Sequence, residues 1–272
     1  AEHSSMYIRN VQMNKESEVT QTIQRINPHM VEESVWSAGG TDVVISFPIV
    51  PKTGSIFKDE LIGVDHLEKV KLAQRHWVDA GTNEELCADY GVRHNVSNTI
   101  IVDDWDEVER YVFENRHSFA GISFLSAMGD KDFNQAPNTA VISAEDMVNK
   151  YGTAAIFASG LVVDALNAFD NLWSACATSH GMGDDLTLES SDNAMKRDWV
   201  RRFNNFADNY LNGDTKQAEY CLKDSYLLHK WNKINKNFTP VDWIEDLTEK
   251  RYTEVDTMGA AACAGGACEI DF

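Results

Sequence analysis

The residues best suited to chemistry are two cysteines near the end of the chain, Cys263 and Cys268, with four residues between them. The residues between and just before them are mostly alanine and glycine, which give a backbone great conformational freedom. Two thiols on a mobile arm can form a disulfide, be reduced by an external dithiol and pass electrons to a buried acceptor that a donor protein cannot reach. The sequence therefore predicts a redox-active pair on a mobile C-terminal arm.

Two other interpretations of the pair stay open, namely half of a zinc site and an incidental pair. A structural zinc site needs four ligands, and no further cysteine or histidine lies near Cys263 and Cys268 in the sequence. Basic side chains that would favour a thiolate are not evident nearby, and Glu269 and Asp271 disfavour it. We expect no bound metal at this position.

The composition argues against several function classes. The chain of 272 residues carries 43 acidic against 24 basic residues, and its formal charge of −19 repels nucleic acid. The longest mostly apolar stretch, residues 153–163, is too short to cross a bilayer. The first residues show no signal-peptide pattern. We expect a soluble, cytoplasmic protein that binds neither DNA, RNA nor a membrane.

The other three cysteines, Cys87, Cys176 and Cys221, are scattered along the chain. An odd total of five does not resemble the disulfide framework of a secreted protein. The first residue is Ala1, and the sequence begins within what is predicted to be a strand. We interpret the chain as a processed chain or as the C-terminal part of a longer one.

The first part of the chain alternates strands and helices. Strands are predicted over residues 6–12 and 42–49, and a helical stretch over residues 16–26 lies between them. Gly63 opens a further helix, and its buried face is marked by the apolar residues Val64, Leu67, Val70 and Trp77.

The run Val92–Val102 is rich in β-forming residues and predicts a strand with one polar face. Its apolar positions fall on one side, and the polar residues His94, Asn95, Ser97 and Thr99 supply the polar groups. A polar face on an otherwise buried strand is typical of a cavity lining. The alternative is a surface strand with one face in solvent.

The following segments predict a βαβ pattern. Asp103 or Asp104 can cap a helix over residues 105–115, and a strand follows over residues 121–125. Strand, helix and strand connected in this way predict a parallel arrangement.

The chain is predicted to be helical over residues 152–236. Apolar residues recur there at steps of three and four, which places them on one face of each helix. Cys176 belongs to this set, and we interpret it as a buried packing thiol. Ser143 and Asp146 resemble a capping box before the helical region. The acidic piece over residues 239–257 is predicted to tether the cysteine arm.

Several of these segments resemble one family. The tail with Cys263 and Cys268 resembles the C-terminus of adenosylcobalamin-dependent (class II) ribonucleotide reductases, which end in a Cys-x-Gly-Gly-x-Cys shuttle of this kind. The barrel of that family contains, in the same order, a tyrosine-x-arginine segment, a Phe-Pro-Ile strand end, an Asn-Val-Ser-x-Thr strand and a Gln-Ala-Pro element. Similar segments in this chain are residues 4–10, 47–49, 95–99 and 135–137.

The resemblance implies an α/β fold and a division of the chain. Residues 1–150 would be the C-terminal part of a ten-stranded α/β barrel of the ribonucleotide reductase type. Residues 151–238 would be a helical insertion or cap, and residues 239–272 a tether with the redox-active cysteine tail. The candidate residues of the substrate cavity are Ser4, Ser5, Tyr7, Asn95, Ser97 and Thr99.

The resemblance also implies an activity. The parent enzyme reduces ribonucleotides to 2′-deoxyribonucleotides by thiyl-radical chemistry that starts from adenosylcobalamin. Thioredoxin or a similar dithiol protein would restore Cys263 and Cys268 after they reduce the active-site disulfide. The family's radical-forming cysteine and phosphate loop belong upstream of Ala1. We therefore expect the chain alone to be inactive and to need an N-terminal catalytic part.

Two alternatives to this interpretation remain. The chain could be a separate, non-catalytic small subunit or redox-binding module of a split reductase, which docks on a catalytic partner and delivers electrons. It could also be an unrelated α/β domain whose tail is a redox sensor or a chance feature. In that last case the side chains from Asn95 to Thr99 would face solvent and not a barrel interior.

Overall fold

The computed structural model describes residues 1–89, 91–127, 135–168 and 194–246. The described residues form a mixed α/β structure that divides into two compact units. The βαβ unit comprises Ala1–Ser5 and Pro51–Lys131, and the sheet–bundle unit comprises Met6–Val50 and Asp132–Phe272.

The described strands and helices follow one another along the chain in a mixed order. The strands are β1 (Tyr7–Asn14), β2 (Val31–Glu33), β3 (Asp42–Ile49), β4 (Thr99–Val102), β5 (Ser123–Ser126) and β6 (Asn138–Ala140). The helices are α1 (Glu18–Ile26), α2 (Gly63–Ala73), α3 (Trp105–Glu114), α4 (Ala144–Tyr151), α5 (Ala154–Ala168), α6 (Ala194–Tyr210), α7 (Thr215–Asn237) and α8 (Trp243–Asp246).

The βαβ unit is built on β4, α3 and β5. The two strands pair in parallel, with Thr99 opposite Ser123, as the sequence predicted. The Asp104 carboxylate caps α3 by accepting a hydrogen bond from the Glu107 N–H at 3.0 Å. Helices α2 and α3 cover the sheet through a buried apolar cluster of Leu67, Val70, Ile100, Val102 and Val108.

Helix α2 does not continue as predicted. After Ala73 the chain forms a π-helical segment, Gln74–Asp79, in which each turn takes up more residues than an α-helical turn. This change rotates the following side chains around the helix axis. Gln74 is buried, whereas Trp77 is 83% exposed, so the prediction that Trp77 lies on the buried face is wrong.

The sheet–bundle unit contains a four-stranded sheet in the order β2-β3-β1-β6. Every neighbouring pair in it is antiparallel, and β1 lies against β3 from Tyr7 opposite Ile49 to Asn14 opposite Asp42. The strands predicted over residues 6–12 and 42–49 are confirmed.

Helices α4, α5, α6 and α7 pack around one apolar core, which confirms that this region is helical in its described part. The Ser143 Oγ accepts a hydrogen bond from the Asp146 N–H at 3.1 Å and caps α4 as predicted. Helix α7 also reaches the sheet. Its Ile234 is fully buried against residues of α1, the following turn and β3, namely Ile23, Met30, Val43 and Ile45.

Two fold predictions need correction. The described strands form two separate small sheets and do not form a closed barrel, so a ten-stranded architecture is not shown by the described residues. The strand predicted over Val92–Val102 exists only from Thr99 onwards. Side-chain atoms of Gln74 bind the His94 C=O and the Val96 N–H, so these backbone groups do not pair with a neighbouring strand.

The predicted boundary at residue 150 also differs from the observed division. Residues 6–50 group with the helical region, because α7 packs on the sheet. Lys230 Nζ on α7 forms a 2.5 Å ion pair with the Glu32 carboxylate on β2, and both side chains are largely shielded from solvent. Sheet and helices therefore share one core.

The substitution Ile234→Ala tests this packing. We expect the free energy of unfolding of the sheet–bundle unit to fall by about 2–5 kcal/mol, because the lost side chain leaves a cavity between α7 and the sheet. Urea denaturation followed by circular dichroism measures the change. The exposed Asn232→Ala on the same helix serves as the control, with an expected change below about 0.5 kcal/mol. Equal effects of the two substitutions would contradict the packing.

Candidate functional site

The two cysteines of the predicted shuttle, Cys263 and Cys268, lie outside the described residues. The structure does describe the root of the arm that carries them. The Asn27 side chain donates from Nδ2 to the Thr239 C=O at 2.8 Å and accepts from the Thr239 N–H at 2.8 Å. Asn27 itself is buried at the end of α1. The chain is therefore held at Thr239 before it continues through α8, the last described element.

Three of the predicted cavity residues, Asn95, Ser97 and Thr99, are exposed on the βαβ unit. The Asn95 Oδ1 accepts a hydrogen bond from the Gly121 N–H at 3.0 Å, which holds the segment that leads into β5. Thr99 lies at the start of β4, opposite Ser123. In the described part of the unit these side chains face solvent and do not line an enclosed cavity.

A buried amide holds the segment before β4 in place, although sequence reasoning did not identify it. Gln74 is 1% exposed. Its Nε2 donates to the Asp79 carboxylate at 3.0 Å and to the His94 C=O at 3.2 Å, and its Oε1 accepts from the Val96 N–H at 3.3 Å. Because every contact of Gln74 is long-range or within the π-helical segment, no local sequence pattern indicates it.

Ser4 and Ser5 belong to the βαβ unit, and Ser4 lies at the end of a short polar chain. Lys58 Nζ is 2.8 Å from His3 Nε2, and His3 Nδ1 is 3.5 Å from the Ser4 Oγ. If the Lys58 ammonium donates to Nε2, the proton of the neutral ring is on Nδ1 and points to Ser4. The hydroxyl of Ser4 is then not activated as a nucleophile. Ser5 is exposed.

Tyr7, the sixth predicted cavity residue, belongs to the sheet–bundle unit. It is buried at the start of β1, opposite Ile49 on β3 and Ala140 on β6. Its ring is part of the interior of this unit.

The Gln-Ala-Pro element is fixed to the same sheet. The side chain of Gln135 donates to the Glu33 C=O at 2.8 Å and accepts from the Val35 N–H at 2.9 Å. Gln135 has a φ of 56°, which is uncommon for a residue other than glycine. These two hydrogen bonds hold it in that conformation.

A polar pair inside the sheet supports the same element and was missed from the sequence. Asn10 on β1 donates from Nδ2 to the Ala136 C=O at 2.7 Å and accepts at Oδ1 from the Ser46 hydroxyl at 2.9 Å. Ser46 is fully buried. The buried Ser46 hydroxyl within the mostly apolar strand β3 was the available signal, because β1 carries several polar side chains and Asn10 does not stand out among them.

The described cysteines, Cys87 and Cys221, are both free thiols. Cys221 is fully buried on α7, and burial, together with the nearby Asp224 carboxylate, raises the pKa of its thiol to about 12. Asp224 accepts hydrogen bonds from the Tyr151 hydroxyl at 2.8 Å and from Lys150 at 3.0 Å. Cys221 is therefore an unreactive packing thiol. Cys176, predicted to play the same role, lies outside the described residues.

The described ranges contain no group of three or more His, Cys, Asp or Glu side chains that could hold a metal ion. The cobalt of adenosylcobalamin is held by its own corrin ring, so this finding bears only on metals bound directly by protein. No described residue can be matched to that cofactor.

Among the helices that the structure describes, none combines the length and apolar character needed to cross a membrane.

Comparison of the chain with protein-family models, with curated proteins and with solved structures found no match. The family resemblance therefore rests on the sequence segments themselves.

The substitution Gln74→Leu tests the role of the buried amide. It keeps most of the side-chain volume but removes the bonds to His94, Val96 and Asp79. We expect the Val96 amide to exchange its hydrogen faster, and the βαβ unit to lose about 1–3 kcal/mol of stability. Amide hydrogen exchange and urea denaturation measure these two effects. The exposed Gln24→Leu on α1 is the control, and unchanged exchange at Val96 would contradict the assignment.

The burial of the Cys221 thiol predicts that the free energy of unfolding depends on pH. The folded state keeps the Cys221 proton to a pH of about 12, whereas the unfolded chain releases it near its ordinary pKa of 9.0. Unfolding therefore releases a proton between these values, and the free energy of unfolding falls as the pH rises through this range. Cys221→Ala should flatten that decline relative to the wild type, and the control Cys87→Ala, at a half-buried thiol in the βαβ unit, should leave it unchanged. Urea denaturation at a series of pH values measures the slopes.

Proposed function

We propose that this chain is the C-terminal part of an adenosylcobalamin-dependent ribonucleotide reductase, which converts ribonucleotides to 2′-deoxyribonucleotides in the cytoplasm. In this proposal the chain completes the α/β barrel of the enzyme. Its tail carries reducing equivalents from thioredoxin or a similar dithiol protein to the active-site disulfide. The observation that carries the proposal is the Cys-Ala-Gly-Gly-Ala-Cys sequence of Cys263 to Cys268.

The described anchor supports a shuttle. Thr239 is held by Asn27, and about 24 positions separate it from Cys263. A chain of that length spans at most roughly 80 Å when fully extended. The arm can thus start from a fixed point and still cover the distance between a surface position and a buried active site.

The electron transfer balances as two dithiol–disulfide exchanges. The thiols of Cys263 and Cys268 would reduce the active-site disulfide, and the tail would become a disulfide while the active site regains two thiols. The dithiol partner then gives two electrons and two protons to the tail and becomes oxidised itself. No further oxidant or reductant is needed for this cycle.

The two-stranded sheet of the βαβ unit supports the proposal that an N-terminal catalytic part binds this chain. Within the described residues β4 and β5 pair only with each other. Parallel sheets normally have both faces covered and contain more than two strands. On β5 and at the start of α3, the apolar side chains Phe124, Leu125 and Trp105 are exposed. Strands from an N-terminal catalytic part would extend this sheet towards the proposed barrel and cover these side chains.

The exposure of Asn95, Ser97 and Thr99 is what an unrelated α/β domain would show. In the reductase proposal these residues become part of a cavity wall only when the N-terminal part covers them. Labelling of a Ser97→Cys variant with a maleimide distinguishes the two cases. Protection from the label on addition of the N-terminal part favours the reductase, and continued exposure favours the unrelated domain.

The cofactor would supply the radical chemistry when bound, since homolysis of its cobalt–carbon bond starts formation of the thiyl radical. The residues of this chain contribute positioning and electron delivery. The tail and the Asn27–Thr239 anchor serve the second task. The candidates Ser4 and Ser5 would serve the first, whereas Tyr7 is buried in the core of the sheet–bundle unit.

A second candidate function is a separate small subunit of a split reductase, which docks on a catalytic partner and only delivers electrons. The anchored arm supports the small subunit as well as it supports the barrel proposal. A small subunit that only delivers electrons places no residue of this chain in the cavity. Substitution of the exposed Ser97 and Thr99 by alanine separates the two. A loss of substrate affinity in the assembled enzyme supports the barrel, and unchanged affinity supports the separate subunit.

A thiol titration tests the shuttle. After oxidation, the wild-type chain should gain two more thiols on reduction by thioredoxin and its reductase than the Cys263→Ser, Cys268→Ser double variant does. The Cys87→Ser, Cys221→Ser double variant is the matched control and should gain the same two thiols as the wild type. The shuttle assignment fails if the tail stays reduced in air or ignores thioredoxin.

An activity assay tests the rest of the proposal. The chain alone, with adenosylcobalamin and thioredoxin, should form no deoxyribonucleotide, because the radical-forming cysteine lies outside it. Together with the N-terminal part it should support turnover. The Cys263→Ser, Cys268→Ser variant should then lose turnover with thioredoxin but keep it with a small dithiol that reaches the active site directly. Deoxyribonucleotide formation by the chain alone would contradict the proposal.

A further inference from the structure

A groove of about 410 Å³ lies between α5 and α6 of the sheet–bundle unit. Its volume is in the range of small-molecule sites in proteins. The two helices run antiparallel along it, because Phe157 on α5 contacts Tyr210 on α6 while Asp164 contacts Arg202. The groove was not indicated by any motif in the sequence.

Aromatic rings form one end and the floor of the groove. The rings of Phe157 and Tyr210 are stacked, with centroids 4.0 Å apart and an angle of 22° between their planes. The Phe157 side chain is 46% exposed and that of Tyr210 is 42% exposed, so the stack remains open to a ligand. Phe206 is buried below it, and its ring centroid is 6.0 Å from that of Tyr210.

An ion pair forms the other end. Arg202 binds the Asp164 carboxylate at 2.8 Å and the Asp198 carboxylate at 3.0 Å. Its charge is therefore already compensated, and the chain as a whole carries a charge of −19. Both facts disfavour an anionic ligand such as a nucleotide phosphate.

The length of the groove excludes a helical partner. Phe157 and Asp164 mark its two ends on α5, and seven residues of an α-helix extend over about 10 Å. A docked helix needs several turns of apolar contact along an open groove. The stacked rings and the ion pair leave room for one small molecule.

Two side-chain amides can form hydrogen bonds with a ligand in the groove. Asn205 and Asn209 are four residues apart on α6 and line the same side of the groove. Among the described residues neither side chain has a hydrogen-bond partner. Each amide offers both a donor and an acceptor, which matches the edge of a planar heterocycle with alternating donors and acceptors.

We propose that this groove binds a neutral, planar nitrogen heterocycle of about purine size. Its ring contacts the Phe157–Tyr210 stack, and its polar edge is bound by Asn205 and Asn209. This inference does not depend on the proposed reductase function, because every described residue that lines the groove lies on α5 or α6.

Ligand-observed NMR and calorimetry of the full chain with adenine, adenosine and hypoxanthine test the proposal. We expect saturable binding of at least one of these probes. Asn205→Ala combined with Asn209→Ala should weaken it about tenfold or more, and Phe157→Ala should have a similar effect. The neighbouring exposed Asn204→Ala is the matched control and should leave binding unchanged. Circular dichroism of each variant verifies its folding.

Three outcomes would overturn the proposal. The first is the absence of saturable binding of all three probes at millimolar concentration. The second is binding that the Asn205→Ala, Asn209→Ala variant leaves intact, since these exposed amides can be replaced without disturbing the core. The third is at least tenfold tighter binding of adenosine diphosphate than of adenosine, which would make the site an anion site. Self-association abolished by Phe157→Ala, without ligand binding, would instead identify an interface between two copies.

Discussion

The packing of α7 against the antiparallel sheet is the interaction on which the sheet–bundle unit depends. Ile234 closes the apolar core between helix and strands, and the Lys230–Glu32 ion pair fixes the helix beside β2. Just after the end of α7, the backbone N–H and C=O of Thr239 are both hydrogen-bonded to the side chain of Asn27. This last contact fixes the position from which the cysteine arm leaves, so the core that stabilises the unit also positions its proposed chemistry.

Two side-chain amides bind backbone groups that strand pairing would satisfy in a larger sheet, and one of them, Gln74, is buried. Gln74 binds the backbone of His94 and Val96 in the βαβ unit, and Asn10 binds the backbone of Ala136 in the sheet–bundle unit. In both places an irregular segment is held in a defined conformation because one amide side chain binds its polar backbone groups. These segments include two of those that resemble the reductase family.

The proposed shuttle and the groove between α5 and α6 differ in chemistry, because the first exchanges electrons and the second binds a ligand without covalent change. The shuttle depends on thiols carried by an arm, and the described thiol Cys221 is too deeply buried to take part. The groove depends on rings and amides held by two rigid helices. The parallel pair β4 and β5, which pairs with no other described strand, is a third feature, and the reductase proposal accounts for it by strands from an N-terminal catalytic part.

The sequence by itself determined the local elements. It predicted β1, α1, β3 and the caps at Asp104 and Ser143, because periodicity and capping depend on neighbouring residues. It also predicted the parallel β4–α3–β5 arrangement. Only the tertiary structure decided the antiparallel order of the larger sheet and the grouping of residues 6–50 with the helices. It likewise decided the exposure of Trp77 and the loss of strand structure before Thr99. Each of these follows from contacts between residues far apart in the chain, such as Gln74 with Val96 and Ile234 with Ile45, which leave no periodic signal in the sequence.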